Sequence, residues 1–337
     1  MLDYDGIHDA AGYSGDIALT LPATPVDGLE AQVRLLEDDL RKLINNRPNL
    51  NDAVYQDSFA TFFTCATFHK LLTLFFRRRQ LLARMIHWPT FNPATVDPGL
   101  LLAIALCGAA YSHHSVEPFD YAATASKLHQ LAEKYIFRRM KRCPASDASP
   151  AALEVCQAAY LVVFLQLSGS DYDARRRAIT KRHPALVDAI RRLGMLKRTT
   201  ASPTHNADWH AFVYKESCIK LVTWTLFTDG LLALFFNSPP SMTVSEMSID
   251  LPCSDGLWDA DCPSSFEEEE NEEKQTLQPL CIKEVMEELL GDDWDDTIAA
   301  AYGRLSVFSL YSVIGGGFPG FRPTSISAYK SQLTSAE

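Results

Sequence analysis

Asp97-Pro98-Gly99-Leu100-Leu101-Leu102-Ala103-Ile104-Ala105-Leu106-Cys107-Gly108-Ala109-Ala110-Tyr111 holds a single charged residue, at its first position. The Asp97 carboxylate can cap free amides and Pro98 suits a first turn, so a helix is predicted to begin here. From Leu100 to Tyr111 almost every side chain is apolar, which leaves the helix no face for water. The uncharged run from Gly99 to Tyr111 is thirteen residues, short of the ~20 that cross a bilayer. A helix apolar all round must be covered by neighbours on most sides, and that requirement sets the search for the rest of the chain.

The neighbours are helical patterns too. Val54 to Ile86 is rich in Phe and Leu and reads as one or two helices. His87-Trp88-Pro89-Thr90-Phe91-Asn92-Pro93 then interrupts, because proline removes an amide donor and restricts the residue before it. Helical periodicity returns over Tyr121–Met140, Ala151–Leu167, Ala174–Leu193 and Trp209–Phe236, with Pro, Ser, Gly and Asn clusters between. Gly194 stands where a C-terminal cap belongs, and Asn237-Ser238-Pro239-Pro240 ends the last of these helices. Leu221–Phe236 has Asp229 as its one charge, and sixteen residues read as a buried core helix. No series of alternating strands and no repeat of 20 to 50 residues is present. The fold class predicted is all-α, with no membrane partner.

The two ends differ from this body. Residues 1–27 carry Gly, Pro, Ser and Asp without a period and read as a flexible arm. In 28–46, Leu29, Val33, Leu36, Leu40 and Leu43 form a heptad seam about two heptads long. Two readings stand: an amphipathic helix lying on its own domain, or a short homodimerisation zipper. The main helical domain is placed at 54–260. Between Asp259 and Asp296 fifteen acidic residues face two basic ones, a charge of −13. The whole chain of 337 residues is −11, so 27 acidic and 29 basic residues elsewhere leave +2. The segment 261–296 is therefore expected to be solvated, mobile and largely disordered. Residues 297–337 read as a terminal helix from about Ile298 to Ile314 followed by a Ser/Thr-rich tail.

Catalytic and metal chemistry finds little support. Asp292-Asp293-Trp294-Asp295-Asp296 has the D-D-x-x-D spacing (Asp292, Asp293, Asp296) by which all-α terpenoid synthases hold magnesium, since Mg²⁺ seeks oxygen ligands. The second metal motif of such enzymes has nowhere to lie, because Glu337 is the one acidic residue after Asp296. His113-His114 point about 100° apart on a helix, and Cys65-x-x-x-His69 has no complementary pair. None of the eight cysteines forms a C-x-x-C pair, so neither a zinc ribbon nor a thioredoxin-type site is signalled and reduced intracellular thiols are expected. Gly12-Tyr13-Ser14-Gly15 falls one residue short of a nucleophile elbow. Basic clusters lie at Arg77–Arg79, Arg138–Arg142, Arg175–Arg182 and Arg191–Arg198, without a nucleic-acid recognition module beside them.

Three separated stretches carry a family resemblance. The first is His87-Trp88-Pro89-Thr90-Phe91 ahead of the apolar helix with Gly108 and Tyr111. The second runs from Trp209 and Glu216 through Trp224 and Asp229 to Asn237, Pro239 and Pro240. The third is Leu251-Pro252 with Trp258. In this order they resemble the regulatory (middle homology) domain of fungal-specific transcription factors, over about Thr61 to Ala260. The Leu29–Leu43 seam is similar to the short zipper that follows the zinc cluster in such proteins. The resemblance implies a nuclear regulator of RNA polymerase II transcription, without catalysis, that contacts coregulators and takes a small-molecule effector. It implies DNA contact and zinc only through a zinc module, and no such module is visible in these residues. A non-DNA-binding protein that titrates dimer partners is the alternative. On the residues alone, the motif side chains read mostly as scaffold.

Overall fold

The computed structural model describes residues 26–46, 52–77, 82–114, 120–145, 149–197, 209–274, 281–289 and 309. Twelve α-helices are found among them, joined by turns, with two isolated bridge pairings and no β-strand. They are α1 Val26–Asn45, α2 Asp52–Phe62, α3 Cys65–Arg77, α4 Pro98–Ala110, α5 Tyr121–Met140 and α6 Pro150–Ser168. The second half adds α7 Tyr172–Arg177, α8 His183–Arg192, α9 Trp209–Phe236, α10 Asp255–Asp259, α11 Pro263–Lys274 and α12 Ile282–Leu289.

Helix α4 is the axis. Asp97 caps it by accepting from the Gly99 amide at 2.7 Å, with Pro98 in the first turn. Every residue from Gly99 to Ala109 is buried, with α1, α3, α5 and α6 packed around it. The crossing with α3 is close enough to dictate a residue: a Cβ on Gly108 would lie 2.0 Å from the Leu71 carbonyl oxygen. One continuous apolar core reaches from Leu29 in α1 to Met286 in α12. Leu257, Ala260 and Phe266 form a small second cluster.

By length and composition α6 and α9 are apolar enough to cross a membrane, and 72% and 67% of their apolar windows are buried inside the bundle. Both lie between helices, and both carry buried polar side chains that are bonded within the bundle (Gln157; Glu216, Lys220 and Asp229).

The boundaries follow local chemistry. Gly194, at φ 74°, ends the stretch after α8. Its amide returns to Arg191 O (3.0 Å) and the Met195 amide to Ile190 O (3.1 Å), the paired bonds of a Schellman cap. Asn237, at φ 49°, ends α9 in the left-handed region that Asn tolerates. The predicted single helix Ala174–Leu193 is in fact α7, a π-helical turn at Ala178–Arg182, and α8. Its periodic pattern does not show the extra residue that widens the turn.

Of the two readings of the α1 seam, the packing matches the helix lying on its own domain. Leu29, Val33, Leu36, Leu40 and Leu43 are all 5% exposed or less, packed into the chain's own core, while Leu35 on the opposite side is 60% exposed. The seam is an intramolecular face, so the zipper reading has no free surface.

Within the acidic stretch, solvation and local helix occur together. Its carboxylates are solvated, with Glu267, Glu268 and Glu269 exposed, but α11 and α12 are helices within it. The physical reason lies in a few apolar anchors. Phe266 is buried and its ring lies 4.6 Å from that of Phe212. Ile282, Val285 and Met286 bury one side of α12. The arm, apart from its last residues, and the stretch 297–337, apart from Ser309, lie outside the described residues.

Candidate functional site

The three motif stretches, up to 171 residues apart in sequence from His87 to Trp258, meet at one buried joint. The turn after Leu82–Met85 places His87 inside the molecule, 4% exposed. Its ring meets Trp258 edge-on at 4.8 Å and Trp209 at 5.8 Å. Its Nδ1 shares a hydrogen bond with Thr90 Oγ1 (2.9 Å), which closes the turn on itself. Phe91 is buried and stacks toward Phe76 (4.9 Å), as Trp88 does (4.5 Å). Pro89 is half-buried. Gln157 of α6 donates to Met85 O at 2.9 Å and fixes the turn to the core.

Helix α9 supplies an ion pair to the same joint. Lys220 lies 3.3 Å from Glu216 one turn earlier, and both are almost fully buried. Glu216 Oε1 accepts the Cys253 amide at 3.0 Å, and the Lys220 ammonium sits 4.8 Å over the Trp258 ring. The Leu251-Pro252-Cys253 turn is thus held by a carboxylate, and α10 by a cation against its tryptophan. Arg84 pairs with Asp255 on the outer edge. Pro252 is buried and Leu251 is half-buried against the core.

Asp229 builds a second clamp farther along α9. Its carboxylate accepts the Ser241 amide (2.8 Å), the Met242 amide (2.9 Å) and His183 Nε2 (2.8 Å). It therefore ties the chain that returns after Asn237, Pro239 and Pro240 to the start of α8. Those three residues are exposed and act as the turn. Tyr160 and Thr228 share a bond at 3.0 Å beside it. Trp224 is buried between Tyr160 and Phe227. Gly108 and Tyr111 belong to the α4 crossing and its C-terminal end, apart from both clamps.

These groups hold the chain's own segments together. His183 and Asp229 share the bond of a catalytic dyad, yet they are 1% and 2% exposed, and His183 Nδ1 has no hydrogen-bond partner among the described residues. Burial pushes the Cys156 thiol up to about 12 and the Cys218 thiol up to about 11, which suppresses the nucleophilic thiolate. Burial lowers the pKa of His129 and favours its neutral form. Among the described residues no group of three or more His, Cys, Asp or Glu could hold a metal ion. Cys65 is half-buried and His69 exposed, and the side chains of His113 and His114, like Asp292, Asp293 and Asp296, lie outside the described residues. The zinc that the family resemblance implies thus has no set of donors in the described residues.

Lys220, Gln157 and His183 are functional in the joint and its clamp without standing out in the sequence. A lysine within the apolar stretch of α9, four residues after Glu216, is the available signal for the first. The other two have no local signal, since their partners are 72 and 46 residues away.

Curated fungal proteins are similar to this chain over much of its length. Transcription factor verF of Penicillium polonicum is 23% identical over 225 residues, which cover 61% of this chain and 29% of that protein. Zinc finger protein zas1 of Schizosaccharomyces pombe is 23% identical over 215 residues, 61% of this chain and 23% of that protein. The chain thus spans under a third of the length of either curated relative. No solved structure matches. The family model described as the fungal specific transcription factor domain matches residues 68–315, a range that holds α4, both clamps and all three motif stretches. With that range covering most of its length, the chain belongs to the fungal specific transcription factor domain family.

Proposed function

We propose that this chain is the regulatory domain of a fungal-type RNA polymerase II transcription factor, acting in the nucleus and without catalysis of its own. The observation that carries the reading is the joint of His87, Trp209, Glu216, Lys220 and Trp258, where all three family stretches close on one another inside the matched range. Such a core serves as scaffold: it fixes the turn after Leu82–Met85, α9 and α10 as one body, which presents the outer helices to coregulator proteins. Both relatives are longer proteins, one called a transcription factor and the other a zinc finger protein. DNA contact and zinc accordingly belong to a separate module, and an effector ligand to a contact among the helices. The partner-titration alternative is weakened, because the seam it would use is buried.

The test is to fuse the chain to an unrelated DNA-binding domain in a fungal host and read a reporter together with a fluorescent tag. The expected result is nuclear fluorescence and a change in reporter output in either direction. Lys220→Met should reduce that change in proportion to the loss of folded protein. Reporter output identical to that of the DNA-binding domain alone would sink the reading.

A further inference from the structure

Three basic clusters separated in sequence are drawn to one side of the bundle. Glu133 of α5, 1% exposed, pairs with Arg182 at 2.5 Å and with Arg177 at 3.4 Å. The Arg182 guanidinium also lies 4.8 Å over the Phe137 ring, one turn farther along α5. The π-turn is therefore fastened along the C-terminal half of that helix. Lys141 comes one turn after Phe137 and so lies on the same stripe. Arg192 of α8 donates to Cys143 O and Met140 O and locks the third cluster to the same end. Around these anchors Arg138, Lys141, Arg142, Arg176 and Lys181 are exposed, and none makes an ion pair among the described residues.

The complement is on the same molecule but elsewhere. Helix α11 is fastened through Phe266 to Phe212 at the N-terminal end of α9. Its Glu267, Glu268 and Glu269 are exposed and likewise make no ion pair among the described residues. One chain thus carries a cationic face and an anionic helix, each unmatched among the described residues.

We propose that the face formed by α5, α7 and the π-turn docks the acidic helix α11 of a second copy of this chain. The two surfaces differ, so two copies can engage reciprocally about a two-fold axis, or each can bind the next head-to-tail. Exposed ion pairs are individually weak and screened by salt, so the association is weak and salt-dependent. This surface is separate from the joint, and the inference does not depend on the regulatory reading.

Sedimentation velocity of the full chain over a concentration series tests it, at about 50 mM and about 300 mM NaCl. The expected result is association at low salt that weakens at least about tenfold at high salt. Lys141→Glu with Lys181→Glu should remove association, as should Glu267→Lys with Glu268→Lys, and mixing the two doubly substituted chains should restore it. Circular dichroism checks that each variant is folded, which is expected because all four positions are exposed. Two results would overturn the proposal: a monomer at every concentration in low salt, or association unchanged in both variants, which would place the contact at Leu234–Phe236. Retention of duplex DNA by the wild type, lost in the Lys variant and without self-association, would also overturn it and assign the face to phosphate.

Discussion

Helix α4 has no charged residue between Gly99 and Ala110, whereas α9 carries Glu216, Lys220 and Asp229 into the same core. Both are buried over most of their length, but the conditions for burial differ. For α4 the condition is shape: neighbours on all sides, and no side chain at Gly108 where the α3 backbone crosses. For α9 the condition is satisfaction, because a buried charge is tolerated only with a partner and with donors for its remaining lone pairs. Mean apolarity therefore says that a helix is inside, and its few exceptions say what it holds there.

The contrast is most open to test at the backbone crossing. Gly108→Ala should destabilise by about 4 kcal/mol or more, since the methyl group meets a carbonyl with no rotamer to escape into. The neighbouring Ala109→Gly should cost only about 1 kcal/mol. Denaturant midpoints of the two variants measure the difference, and similar values would remove shape as the condition for α4.

On α9 the matching change is Asp229→Ala, which leaves His183 and the Ser241 and Met242 amides without their acceptor. The expected loss is about 3–5 kcal/mol. Asp229→Asn keeps one acceptor oxygen and should lose less. If both variants unfold at the wild-type midpoint, the clamp has no structural weight.

A double-mutant cycle isolates the ion pair. Lys220→Met should cost about 3 kcal/mol because Glu216 stays buried without its partner. Adding Glu216→Gln should recover part of that, with a coupling of about 1–3 kcal/mol. Additive losses would mean the two charges do not sense one another.

The exposed end of α9 sets the lower limit. Leu234→Ser with Phe235→Ser should change stability by no more than about 0.5 kcal/mol, as these side chains are 52% and 53% exposed.

The smallest effect is in pH. The Arg191 side chain, hydrogen-bonded to Glu246, holds that carboxyl below its ordinary value of 4.5. A depressed folded pKa contributes stability above the unfolded value and loses it as pH falls through the folded one. Glu246→Gln should therefore flatten the stability profile below about pH 4.5 and leave the profile near neutrality almost unchanged.

Much of this architecture is legible in the residues. The bounds Tyr121–Met140 and Trp209–Phe236 come from period and flanking breakers alone, and Asp97-Pro98 and Asn237 announce their caps. What sequence cannot show is which partner covers a face. The heptad of α1 signals a stripe in need of cover, and the cover is the chain's own core. The charge of 261–296 signals solvation, while a single anchored Phe266 suffices to hold α11 on the bundle. The motif residues can be named, but His183, Gln157 and Glu133 emerge only from contacts across 33 to 72 residues.

The widened turn at Ala178–Arg182 bears on how this region can change over evolutionary time. A π-turn holds one residue more than the α-turn it replaces. Removing one of Ala178, Ile179, Thr180, Lys181 or Arg182 would let the turn return to regular winding with α7 and α8 close to their present alignment, because the wider turn already absorbs the extra residue. Arg177 and His183 stand on either side, one bound to Glu133 and the other to Asp229. A deletion of that length could therefore keep both attachments. The segment accepts the loss of a residue that, inside the regular winding of α5 or α9, would turn everything beyond it by about 100°.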